Sequence, residues 1–411
     1  MKKAKNLLLI SIGIIFIGMI ILYSCRSYTG PIPKIADTSS GGTDTSSGGA
    51  DTSSGGTDTS GGGGMLDNDT PCIIPALTVT KNNTLIAAVG DKNNAGKILI
   101  KTSKDGGTNW SAYKGSIKND DIATGFAHPF FINCYDGSIL LGIATTNETE
   151  NIVSFYRSTT EGASWNKESA KIEMHKNATS EGNKTLTSQH AFATYGNGLA
   201  LKHGGNTNTL LFPYYYTDKT GSGVISTMIS ENNGTNWKLY GKDQGAYSSY
   251  GAKFIEIENG NILYFLNDKK KQVAWFSSKD KGQSSSLTKA FFPSSLGTPM
   301  YADFVRYEFD GKDINNKTKH VLVAFSEGYT GYKVMMSTDD FKEGTNGTQV
   351  VGGEAKTVGT ISEHDVYPAI TVLRDGTICT LATENYDTFF RSFGLSFLEG
   401  KDTKTYSKKL W

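Results

Sequence analysis

Downstream of Lys81, short apolar runs alternate with polar turns at a regular pace. The stretches "KNNTLIAAV" from Lys81, "YDGSILLGI" from Tyr135, "GNTNTLLFP" from Gly205, "ENGNILYFL" from Glu258, "DGKDINNKTKHVLVAF" from Asp310 and "RDGTICTLA" from Arg374 share one plan. Each places Gly, Asn or Asp in a turn and follows it with an apolar run too short for a helix. Such runs read as strands. No segment sustains a helical period.

A second repeat interleaves with the first. "SKDGGTNW" at Ser103 is echoed by "STTEGASW" at Ser158 and "SENNGTNW" at Ser230, and more loosely by "SKDKGQSS" at Ser278 and "STDDFKEG" at Ser337. Each lies about two dozen residues beyond one of the first five turns and follows a β-rich segment, so strand, turn and strand is the natural reading. The third side chain is expected to bond the turn's own amides, Gly to take the positive φ, and Trp to cover a neighbouring sheet. Calcium ligation is the competing reading for the first copy, but the alternating ligands and terminal Glu of a helix-flanked loop do not follow Trp110. Two hairpins per unit make a four-stranded sheet, and repeated sheets close radially so that only short edges remain. The pattern predicts an all-β chain, a six-bladed β-propeller between about Asp69 and Trp411.

The residues before that region follow other rules. Three lysines within Met1–Lys5 precede "LLLISIGIIFIGMIILY", an unbroken apolar run of 17 residues. This is the layout of a secretory signal, although the run reaches the lower limit of a membrane span, so an uncleaved anchor stays open. "LYSC" is similar to a bacterial lipoprotein box, which implies cleavage before Cys25 and lipid on its thiol. Asp37, Asp44, Asp51 and Asp58 then mark a seven-residue polar repeat with no apolar position, so it is no coiled coil. A Gly/Ser chain of this kind is a flexible leash reaching roughly 30 Å. The expected organisation is a signal peptide at 1–24, a lipid-anchored disordered linker at 25–64 and the propeller at 65–411. The chain is then an exported lipoprotein at a bacterial cell surface.

Composition narrows the chemistry mostly by exclusion. A net charge of +1 favours neither nucleic acid nor an acidic membrane surface. Cys72, Cys134 and Cys379 are too scattered for a zinc pattern or a disulfide framework, although one pair could bond. His128, His175, His190, His203, His320 and His364 lack ligand spacing, so no catalytic metal and no cofactor is expected. No nucleophile elbow or phosphate loop occurs. A monomer is expected.

The serine-headed turns match the Asp-box pattern Ser-x-Asp-x-Gly-x-x-Trp, and with them the chain resembles the bacterial sialidase (neuraminidase) family of BNR-repeat propellers. The likeness extends to "CIIPALTV", where that family opens with Arg-Ile-Pro, to "GNGLAL" in its third blade and to "YPAITVLRDGTICTL" in its sixth. It implies an exo-α-sialidase, a glycoside hydrolase with a Tyr nucleophile backed by Glu, an Asp acid/base and three arginines on the sugar's carboxylate. Guanidinium forks hold a carboxylate in a fixed plane, and a neutral Tyr avoids repulsion from it.

Carried over residue by residue, Tyr367 takes the nucleophile position and Asp91 is the acid/base candidate. Ile73 falls on the first arginine, Gly251 on the supporting Glu and Asn267 on the second arginine, so the site is degenerate at these positions. The third falls in Glu327–Lys333, where no arginine occurs. Glu384 corresponds to the carboxylate that orients the first arginine. Lys269, Lys270, Lys271 and Lys333 could supply point charges for substrate binding, and their plainer reading is solvated strand ends. Tyr367 could equally pack at the rim, and Asp91 could be a turn residue. Arg157, Arg306 and Arg391 are distant side chains that could reach the channel, with Arg391 expected to pack on the last blade. The resemblance implies sialylated or other glycans as partners. Three outcomes stay open: a sialidase, a non-catalytic lectin-like or adhesive module, and a protein-binding scaffold.

Overall fold

A computed structural model describes residues 72–91, 93–119, 127–145, 153–174, 191–193, 196–203, 208–217, 223–240, 252–267, 273–283, 286–291, 301–309, 312–313, 320–326, 331–338, 343–344, 348–350, 355–359, 366–385 and 387–411. The signal segment, the linker and Cys25 lie outside these, as do Gly251, Lys269, Lys270 and Lys271.

Six antiparallel sheets follow one another along the chain. The first joins Cys72–Val79, Leu85–Asp91, Lys97–Ser103 and Ser111–Ala112, and the second Ala127–Asn133, Ile139–Thr145, Ser154–Ser158 and Asn166–Glu168. In the third, Ala191–Ala193 and Leu199–Ala200 share the inner position ahead of Leu210–Thr217, Gly223–Ser230 and Asn236–Tyr240. The fourth joins Lys253–Glu256, Ile262–Asn267, Val273–Ser278 and Ser286–Phe291. The fifth joins Tyr301–Arg306, Val321–Ser326, Tyr332–Ser337 and Lys356–Thr357, and the sixth Pro368–Val372, Ile378–Glu384, Asp387–Phe393 and Thr405–Lys409. Strands added in parallel outside the repeat, Lys171–Met174 on the third sheet and Thr348–Val350 on the fourth, carry no repeat signal in the sequence.

The apolar runs are continuous because each sheet is covered on both faces. Leu85, Ala87 and Val89 face the sixth sheet together with Ala369, Leu381 and Phe390, while Ile86 and Ala88 face the second with Phe131 and Leu141. Successive strand residues point to opposite faces, so one run serves two seams. Six apolar clusters fill the six seams: first to second, second to third, third to fourth, fourth to fifth, fifth to sixth, and sixth back to first. The ring is closed, and the fold is the six-bladed propeller that the repeat predicts.

The Asp boxes behave as the sequence suggests. The serine hydroxyl accepts the glycine amide at 2.9 Å in the first three copies and 2.8 Å in the fourth, from Gly107, Gly162, Gly234 and Gly282. Asp105 Oδ1 accepts both Ser103 Oγ and the Asn109 amide at 2.8 Å. These bonds, the Asn109 amide first and Ser103 next, bring the Asp105 carboxyl down to about 2. Each box glycine abuts the preceding blade: Gly162 meets Ile86, Gly234 meets Leu140, Gly282 meets Thr227, and Gly107 meets Phe390 of the last blade. The tryptophans do the same, with Trp237 stacked on Phe155 of the second blade at 5.3 Å and Trp110 edge-on to Phe390 at 5.1 Å. The boxes are therefore bolts between blades. Residues 339–342 of the fifth copy lie outside the described residues.

Register fixes which residues share an end of the ring. Cys72 pairs with Asp91, whereas Val79 pairs with Leu85 and Leu85 with Ser103. The Asp boxes therefore share one end, the box end, with the turns that follow the inner strands. The starts of the inner strands and the turns after the second strands share the other, the far end.

Candidate functional site

The far end collects the positions that the sequence singles out. Tyr367 precedes the inner strand of the sixth blade and is half-buried, its ring 4.2 Å from that of Tyr301, which opens the inner strand of the fifth. Tyr301 was not among the predicted site residues; the shared placement, a tyrosine at the head of an inner strand, was its signal. Ile73 pairs with Gly90 next to Asp91, and Asn267 ends its strand opposite Val273 at this same end. Between Ile73 and Pro75 the register slips, and Ile74 adopts φ 49°. A β-branched residue in the left-handed region costs about 1–3 kcal/mol and needs surrounding structure to hold it. Here Ile74 is buried.

Asp91 is 3% exposed, accepts the Asn93 amide at 3.0 Å and Asn94 Nδ2 at 2.7 Å, and lies 3.2 Å from Lys97 Nζ. Its carboxylate is engaged in ordering its own turn. Lys333 is second in its strand and half-buried, and alternation from Tyr332 and Val334 directs it toward the fourth blade rather than the sixth.

Glu384 has a different partner from the one the resemblance implies. It receives a bidentate fork from Arg391, Nη1 to Oε1 at 2.5 Å and Nη2 to Oε2 at 2.9 Å. The guanidinium lies 5.8 Å from the Tyr332 ring and 5.1 Å from Phe389, and Tyr332 Oη shares a 2.8 Å hydrogen bond with Thr380. Arg391 thus packs inside the seam between the last two blades. Arg157 joins Glu168, Ser138 and the Asn233 carbonyl where the second and third blades meet. Arg306 and Arg374 line cavities at the box end. Every arginine beyond Arg26 is thereby placed, and only Arg391 works near the far end.

Between the two ends, Lys253 and Asp303 face each other at 3.4 Å, both about 1% exposed, and Asp303 Oδ2 accepts the Ile370 amide at 3.0 Å. Burial pushes the lysine down and the aspartate up, and their attraction opposes both shifts. The pair links three inner strands.

A second group of charges sits at the box end. Glu256 accepts the Lys202 and His203 amides at 2.6 and 3.0 Å. His203 Nε2 and Arg306 Nε approach Glu308 Oε1 at 2.9 and 2.8 Å. Burial opposes ionisation of Glu308, but the bonds from His203 and Arg306 outweigh it and bring its carboxyl to about 2. The same bond raises His203 above its ordinary 6.5. Among the described residues no cluster of three or more His, Cys, Asp or Glu is arranged to hold a metal, and Cys134 and Cys379 are free and buried.

Six sheets in a closed ring, bolted at one end by Asp boxes and with tyrosines at the heads of the fifth and sixth inner strands at the other, define a sialidase-type propeller. The chain belongs to the BNR repeat-like domain family, whose pattern matches residues 74–349. The intramolecular trans-sialidase of Ruminococcus gnavus, solved with oseltamivir carboxylate, superposes with a TM-score of 0.61 at 14% identity, covering 81% of this chain and 96% of that one. A Hadza microbial sialidase gives 0.61 at 16% identity over 81% and 67% of the two chains. A protein of unknown function from Dyadobacter fermentans gives 0.56 at 16%, over 78% and 92%. No curated protein sequence matches the chain. At these identities the likeness concerns the fold.

Proposed function

We propose that this propeller engages terminal sugars of sialylated glycans at its far end, as a binding module rather than an efficient hydrolase. The observation that carries the reading is the Tyr301–Tyr367 ring pair at the mouth, combined with Glu384 held by Arg391. The rings offer a sugar-facing surface, while the carboxylate that would aim an arginine at the substrate is occupied from within its own blade. A charged hydrogen bond contributes about 1.5–3 kcal/mol. Three missing arginines therefore remove roughly 4–9 kcal/mol, or about three to six orders of magnitude in affinity for a carboxylate-anchored state. We place the module on an exported chain lipidated at Cys25, with the Gly/Ser leash holding it away from the membrane.

Two assays on the purified full chain decide this. Binding to sialylated arrays that weakens after desialylation supports the reading. Turnover of a fluorogenic sialoside at about 1 s⁻¹ or faster, within the ordinary enzymatic range, overturns it in favour of the hydrolase. The clean match of Tyr367 is what favours that second reading, and there Tyr367→Phe abolishes release.

A further inference from the structure

The box end of the channel holds a polar cavity that the far-end reading does not use. A cavity of about 510 Å³ opens there, lined by Lys81, Tyr135, Lys202 and Arg374, and a narrower one of about 200 Å³ continues it inward along Asn197 and Arg306. Glu308 lines both. The wide part alone falls within the roughly 300–1,000 Å³ of ordinary small-molecule sites.

Three features specify the occupant. The first is charge. Lys81, Lys202 and Arg374 form a cationic rim, and Lys81 and Lys202 have no ion-pair partner among the described residues. The Lys81 side chain lies over Gly137, where a Cβ would come within 2.6 Å of its Nζ. Further in, Arg306 and His203 face Glu308, so the inward acid does not cancel the rim.

The second is an exposed aromatic surface. Tyr135 is 36% exposed, yet its hydroxyl is fixed by the Leu201 carbonyl at 2.5 Å and the Thr209 amide at 3.1 Å. A rigid ring lining a polar cavity suits the C–H face of a sugar.

The third is an unmet acceptor. Asn197 Nδ2 donates to the Leu77 carbonyl at 2.9 Å, which fixes the amide's orientation, and Oδ1 is buried without a partner among the described residues. A buried acceptor left unpaired is costly, and a hydroxyl donor would satisfy it.

We infer that the box-end cavity of the channel binds a small acidic saccharide, its anionic group at the Lys81/Lys202/Arg374 rim, its ring on Tyr135 and a hydroxyl on Asn197 Oδ1. This is a second site, at the opposite end from the one proposed above.

Titration calorimetry of the full chain with glucuronate tests it, with glucose and inorganic phosphate as comparisons. Saturable glucuronate binding that weakens with salt is expected, as is a loss of at least tenfold in Lys202→Glu. Lys202 bonds Glu256 through its backbone, so the substitution leaves that link in place. Asn197→Leu should weaken glucuronate and leave any phosphate binding unchanged, with a melting curve confirming the fold. Lys202→Glu should leave sialylated-array binding at the far end unchanged, so failure here and failure of the glycan-binding reading are separable. No saturable binding, equal binding of glucose, binding of phosphate as tight as glucuronate, or indifference to Lys202→Glu each overturns the assignment.

Discussion

Gly106 and Gly107 are neighbours in the same Asp box, and alanine at each should have very different consequences. Both have positive φ, 70° and 95°, so either alanine carries a conformational cost of about 1–2 kcal/mol. A Cβ on Gly106 would meet only Leu373 at an ordinary 3.7 Å. A Cβ on Gly107 would lie 2.1 Å from Phe390 Cε1 and 2.4 Å from Cζ, inside the seam that closes the last blade on the first. Phe390 is fully buried and packs edge-on to Trp110, so it has little room to yield. Overpacking adds about 1–3 kcal/mol, which brings Gly107→Ala to roughly 2–5 kcal/mol against 1–2 for Gly106→Ala. For a propeller of about 340 residues the unfolding entropy near the midpoint is about 0.7 kcal/mol/K, so these become losses of roughly 3–7 °C and 1–3 °C in Tm. Calorimetric melts of the two variants provide the comparison. Phe390→Leu deletes the clashing ring edge, so in a double-mutant cycle it should return part of the Gly107→Ala loss. Equal losses at Gly106 and Gly107 with no coupling to Phe390 would show that the box does not bolt the closing seam.

Other outcomes follow from the charged groups. Arg391→Ala leaves Glu384 buried without its fork and should cost about 3–5 kcal/mol by denaturant titration, with Arg391→Met/Glu384→Gln recovering most of it. Glu308 has a folded-state value of about 2 against an ordinary 4.5, so its stabilising contribution is present above pH 4.5 and lost as pH falls toward 2. At about 1.4 kcal/mol per pKa unit the loss is about 3 kcal/mol, and Glu308→Gln should flatten that acid limb in melts between pH 5 and 2. His203 is raised, so its share is present below pH 6.5 and fades as pH rises through its folded value; His203→Gln should remove that alkaline slope. Labelled palmitate fed to expressing cells should enter the full chain and not Cys25→Ala, and incorporation into both would argue against the anchor.

How much was legible in advance differs between the parts of the molecule. The blades were legible because the first five are written twice in local sequence, once as turn plus apolar run and once as an Asp box, and the bonds that make a box span four residues or fewer, as from Ser103 to Gly107. The six seams followed, since an unbroken run such as "LIAAV" has to be covered on both faces. The paired alternatives for Asp91 were also visible, and its hydrogen bonds to Asn93 and Asn94 match the turn-residue reading. The partner of Glu384 was within reach, because Arg391 is only seven residues away across one hairpin. The box-end cavity was not legible. Lys81, Tyr135, Lys202 and Arg374 are single residues in turns of four different blades, and only ring closure brings them to one rim. The meeting of the Tyr301 and Tyr367 rings was hidden for the same reason.

That contrast bears on how far the fold can speak for the chemistry. The seams and boxes are made between neighbouring blades by residues that the strand repeat dictates, so an apolar run of suitable pattern restores them almost independently of sequence. A sialoside site instead needs particular side chains from several blades to converge on the ends of the inner strands, where little packing depends on them. With Ile73 at the position that the resemblance gives to an arginine, the strand that holds it still pairs Ala76, Leu77 and Val79 with the next strand of the blade. A TM-score of 0.61 at 14% identity is what such a division of labour produces: the ring is reproduced, and the ends of its strands are left to be read residue by residue. At the far end that reading rests on Tyr301, Tyr367 and a Glu384 turned inward toward Arg391. An arginine introduced by Ile73→Arg would therefore have to compete with Arg391 for Glu384, so restoring a carboxylate grip should require Ile73→Arg together with Arg391→Met. Sialoside affinity that rises with Ile73→Arg alone would show that Glu384 is freer than its bidentate fork implies.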